Sequence, residues 1–84
     1  MSAFPNPFGN RTLIRFALAR ADRVHLAVYD VRGRLVSALL RGSVLEPGPQ
    51  HAAWEPAAEF PNGVYVYRLT TSQGERSGRL LLVR

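Results

Sequence analysis

Apolar and polar residues alternate along most of the chain. Between Thr12 and Leu18, the residues Ile14, Phe16 and Leu18 fall on one side, and Arg15 and Ala17 on the other. A period of two with one apolar side predicts a half-buried β-strand. Ala19–Asp22 links this run to a second one, Arg23–Asp30. There Val24, Leu26 and Val28 share one side, and His25, Ala27 and Tyr29 share the other. Two alternating runs joined by so short a link predict antiparallel neighbours. Asp30-Val31-Arg32-Gly33 is the turn that follows. The carboxylate can accept from backbone N–H groups ahead of it, and glycine tolerates positive φ. A type I hairpin with a bulge fits this combination.

The middle of the chain is less regular. Leu35, Val36, Leu39 and Leu40 are spaced as on a helix face, within a segment of about seven residues. Helices that short are marginal, which favours a strand, but the pattern leaves both open. Gly42–Gln50, with Pro47-Gly48-Pro49, is a loop. His51–Glu55 is a short strand candidate that puts Trp54 in the core. Residues 56–61 form a second loop, ending in the turn signal Pro61-Asn62-Gly63.

Val64–Thr71 is the strongest strand. Tyr65, Tyr67 and Leu69 line one face, and Val64, Val66 and Thr70 the other. Aromatic and β-branched residues on both faces predict a central strand. Ser72-Gln73-Gly74 turns the chain back, and Arg79–Val83 predicts a buried last strand. Residues 1–11, with Pro5 and Pro7, are expected to be an extended lead-in that continues a linker from further upstream. Residues 12–84 are expected to be one domain. The sum is six to seven short antiparallel strands and no convincing helix, the pattern of a sandwich or barrel.

Composition narrows the function. The 84 residues suffice for one small domain, which buries a limited share of its surface. There is no cysteine, so no disulfide and no thiolate metal site. No run of 18 apolar residues is present that could span a membrane as a helix. Prolines and arginines interrupt any signal-peptide core near Met1, so export would need a signal outside this chain. The net charge is +5, and all 11 basic residues are arginine. They are scattered from Arg11 to Arg84 without a basic run, which argues against nucleic acid as a partner.

Candidate chemistry is sparse. Asp30 fits a turn better than a reaction. Glu46, Glu55 and Glu59 lie in or beside loops with no second carboxylate to form a catalytic pair. His25 and His51 stand alone, without metal-ligand spacing. None of Ser37, Ser43, Ser72 and Ser77 sits in a Gly-x-Ser-x-Gly context. No enzyme, metal site or cofactor is expected.

Four segments in order carry a family resemblance: Pro5-Asn6-Pro7-Phe8, then Val28-Tyr29-Asp30-Val31-Arg32-Gly33-Arg34, then Asn62-Gly63-Val64-Tyr65-Val66-Tyr67-Arg68-Leu69, and Gly78-Arg79-Leu80-Leu81-Leu82-Val83. The set resembles the type A C-terminal sorting domain of bacterial type IX secretion substrates, from Phe4 to Arg84. It is also similar to the immunoglobulin-like domain of flagellar hook-capping proteins. The resemblance implies an all-β, immunoglobulin-like antiparallel sandwich that serves as the address tag of an exported cargo lying upstream in the same polypeptide. It implies a secretion translocon and a sortase-like protease as partners, with passage through the periplasm to the cell surface or beyond. The alternatives are an assembly module of hook-capping type and an accessory binding module of a secreted enzyme.

A rigid sandwich offers sheet edges to which a partner can add a strand. The expected recognition features are therefore two. One is the hairpin, with Asp30, Arg32, Gly33 and Arg34. The other is the last strand, with Arg79, Leu80, Leu81, Leu82, Val83 and Arg84, whose final charge is expected to be free.

Overall fold

The computed structural model describes all residues from Met1 to Arg84. Seven strands follow one another: β1 (Ser2–Phe4), β2 (Thr12–Leu18), β3 (Asp22–Tyr29), β4 (Leu35–Leu45), β5 (Gly48–Trp54), β6 (Gly63–Thr71) and β7 (Gly74–Leu82). They form two sheets, a three-stranded one in the order β1-β2-β5 and a four-stranded one in the order β4-β3-β6-β7. All strand pairs are antiparallel. With β1, β2 and β5 as strands A, B and E, and β3, β6 and β7 as C, F and G, this is the immunoglobulin order, with β4 extending the second sheet. No helix is long and apolar enough to cross a membrane.

The core lies between the sheets. Ile14 and Phe16 of β2 face Val24, Leu26 and Val28 of β3, together with Tyr65, Tyr67 and Leu69 of β6 and Leu80 and Leu82 of β7. Each fully buried aliphatic side chain contributes roughly 1.5–3 kcal/mol, and Trp54 joins this core as expected. Tyr67 fits because Gly78 lies opposite it in β7. A Cβ on Gly78 would run into the Tyr67 ring.

Three expectations change. The β2 and β3 runs are not neighbours but lie in opposite sheets. Both expose one apolar face, and those faces meet across the core, a separation of roughly 10 Å that a short link spans. The ambiguous segment is the start of an 11-residue strand, β4, which takes Gly42–Leu45 of the expected Gly42–Gln50 loop, while β5 takes Gly48–Gln50. The last strand begins at Gly74 and is not buried on both faces. Leu80 and Leu82 point inward, while Leu81 and Val83 are exposed, because β7 is a sheet edge.

Candidate functional site

The hairpin after β3 is tied to one carboxylate. Asp30 Oδ1 accepts from the backbone N–H of Arg32 at 2.9 Å and of Arg34 at 3.0 Å. The Gly33 N–H donates to the Asp30 carbonyl at 3.0 Å, and Gly33 takes φ 82°. Arg34 Nε donates to Asp30 Oδ2 at 3.0 Å. These bonds, led by the Arg34 N–H, hold the Asp30 carboxyl below its ordinary range. The hairpin is thus rigid, with Val31 and Arg32 exposed at its tip.

Antiparallel pairing brings the other motifs to the same end of the four-stranded sheet. Tyr29, just before the hairpin, lies opposite Val66, and Gly63 at the start of β6 lies opposite Leu82 at the end of β7. A shallow recess of about 230 Å³ opens between the hairpin and the start of β6, with Asp30, Arg32, Asn62 and Val64 on its walls. Below it, Tyr65 donates its hydroxyl to the Pro61 carbonyl at 2.7 Å. That is the tyrosine corner known from immunoglobulin sandwiches. Its ring packs edge-on against Trp54 at 5.2 Å, and Phe8 lies 5.8 Å from Trp54 on another side.

The expected recognition residues divide into a buried set and an exposed set. Leu80 and Leu82 are buried and belong to the core. Arg32, Arg34, Arg79, Leu81 and Val83 are exposed. Arg84 is not a free charge. Its guanidinium donates to the carbonyls of Gly9, Pro56, Ala57, Ala58 and Phe60, at 2.8 to 3.4 Å. Its main chain exchanges two bonds with the Asn62 side chain, Arg84 N to Oδ1 at 3.1 Å and Nδ2 to Arg84 O at 3.4 Å. The last residue therefore staples the end of β7 to the loop before β6.

The outer edge of β7 is also less open than expected. Asn6 uses its side-chain amide as a peptide group. Nδ2 donates to the Arg79 carbonyl at 2.8 Å, and Oδ1 accepts from the Leu81 N–H at 2.9 Å. Phe8 continues the pattern with its backbone. Its N–H donates to the Leu81 carbonyl at 3.0 Å, and its carbonyl accepts from the Val83 N–H at 2.9 Å. The segment Asn6–Phe8 thus forms a strap over residues 79–83, with a parallel bridge at Phe8 and Leu82. Beyond the strap, no strand pairs along the edge from Gly74 to Gly78. Sequence reasoning misses this strap because asparagine between two prolines signals a turn and not a surrogate strand.

His25 lies opposite Arg41 on one outer face and His51 opposite Arg15 on the other, far from forming a pair. A family profile described as the secretion system C-terminal sorting domain matches residues 2–83. Nothing matches the chain among curated proteins or among solved structures.

Proposed function

Because the chain belongs to the family of secretion system C-terminal sorting domains, we propose that the end of the sandwich formed by the hairpin, the strap and the close of β7 is the surface the export machinery recognises. The family is non-catalytic. It directs type IX export of a cargo carried upstream, across the outer membrane to the cell surface or the medium.

The observation that carries the reading is convergence. Segments around residues 6, 30, 62 and 82 meet at one end, where the strap and the staple tie residues 6, 62 and 82 together and the pairing of Tyr29 with Val66 ties the hairpin to β6. A signal read as a shape needs its parts held in fixed relation. Exposed Val31, Arg32, Leu81 and Val83 are the contacts available to a translocon, while Leu80, Leu82 and Arg84 hold the surface in place. A sortase-like protease would cut ahead of the strap, releasing the cargo after transit through the periplasm.

The test is a fusion of a signal peptide, a fluorescent protein and this chain in a host that carries the secretion system. Arg32→Ala combined with Val83→Ser alters exposed side chains that hold no partner. The double variant is expected to melt like the wild type and to export severalfold less reporter. Wild-type export by a normally folded double variant rules this surface out.

A further inference from the structure

Arginines far apart in the sequence are gathered by the fold. Residues directly opposite one another in adjacent strands point to the same side of a sheet. Since Val24, Leu26 and Val28 face the core, Arg23, His25, Ala27 and Tyr29 face outward from the four-stranded sheet. Arg41 lies opposite His25, Arg68 opposite Ala27, and Arg79 opposite Val66, which itself lies opposite Tyr29. Arg23, Arg41, Arg68 and Arg79 therefore share one face. The carboxylate that joins them there is Glu75, on the edge strand.

None of the four is in an ion pair. The ion pairs in the molecule are Arg11 with Glu55 and Arg34 with Asp30. Two of the four are held in place: the Arg68 guanidinium lies 4.8 Å from the centre of the Tyr29 ring, and Arg23 Nη1 donates to the Gly42 carbonyl at 2.9 Å. At the hairpin end of the same face lie apolar side chains open to water, Leu35 at 58%, Val64 at 42% and Leu81 at 37% exposed, beside half-buried Tyr29 and Val66. The opposite outer face, on β2, carries Arg15.

We propose that this face docks on an acidic protein surface whose carboxylates run beside an apolar patch. Charge complementarity sets the sign of the partner, because unpaired guanidinium groups bind carboxylates with paired, directional hydrogen bonds. The apolar patch sets its class, because a bare polyanion has nothing to cover Leu35, Val64 and Leu81. The face meets the recognition end at Val64, Arg79 and Leu81, but it extends beyond it, since Arg41 and Arg68 belong to neither the hairpin nor the close of β7.

The experiment titrates the isotope-labelled chain with a random copolymer of glutamate and tyrosine, with polyglutamate of matched length, with phosphatidylglycerol–phosphatidylcholine vesicles and with a single-stranded oligonucleotide. The copolymer is expected to bind most tightly, to shift amide signals of β3, β4 and β6, and to weaken as salt is raised. Arg41→Gln with Arg68→Gln is expected to weaken it about fivefold, the sum of two exposed charge pairs. Arg15→Gln on the opposite sheet leaves it unchanged. An equal loss in Arg15→Gln, no binding of the copolymer, or tighter binding of polyglutamate, vesicles or oligonucleotide overturns the proposal.

Discussion

Asp30 shows how one short side chain can set a surface. Its carboxylate takes hydrogen bonds from the Arg34 N–H, the Arg34 guanidinium and the Arg32 N–H, in falling order of effect on its charge. Asp22 is held low in the same direction at the other end of β3, first by the Ser72 hydroxyl, then by the Arg23 and Ser72 N–H groups and the Arg20 charge. A carboxyl whose folded pKa lies below its unfolded value adds stability above that unfolded value, about 3.9 for aspartate. The contribution is lost as pH falls through the folded pKa. Stability is therefore expected to hold from neutral pH to about pH 5 and to fall below pH 4. In urea melts across this range, Asp30→Asn should show a shallower acid decline; an unchanged slope contradicts the assignment. The turn is legible in the sequence because Asp-x-x-Gly states both its needs, an acceptor at the first position and positive φ at the fourth. The role of Arg84 is not legible, since its five carbonyl partners come from two loops whose course only the folded chain fixes.

Strands follow the alternation wherever the pleat is unbroken. Val28 is fully buried and His25 faces outward, so aspartate at the two positions should behave oppositely. Val28→Asp puts an unpaired carboxylate in the core at several kcal/mol or more, comparable to the whole stability of a domain this size. It is expected to leave the chain unfolded by circular dichroism, whereas His25→Asp shifts the melt by a few degrees at most; similar shifts for both would mean the faces are reversed. β4 escapes the same reasoning because its pairing with β3 slips at three places, after Val24, Leu26 and Val28. Each irregularity moves the inward side by a residue, so Val36, Leu39 and Leu40 all reach the core at a spacing that mimics a helix. The strap leaves no periodic trace, since it pairs through one side chain and one residue of backbone. Asn6→Ala removes the acceptor of the Leu81 N–H. Hydrogen exchange at Leu81 is expected to quicken about fivefold to tenfold, while amides bonded between β3 and β6 stay as protected as before. Unchanged exchange at Leu81 would show that the strap does not hold the edge.

At the scale of the whole molecule, two sheets and a few ties turn motifs spread over the chain into one rigid end. The fold class is legible because period-two patterning with regular turns suits little besides a sandwich or barrel. The grouping of the four arginines is invisible in the sequence, because it depends on the register of three strand pairs. An address made of such a surface exists only while the sandwich is folded. The most direct measurement is where an intact fluorescent reporter accumulates when fused to the Val28→Asp chain, in a host that exports the wild-type fusion. The account predicts that the reporter stays in the periplasm. Delivery of the unfolded tag to the cell surface or medium as efficiently as the wild type would mean that a linear stretch of sequence, and not a folded shape, is what the machinery reads.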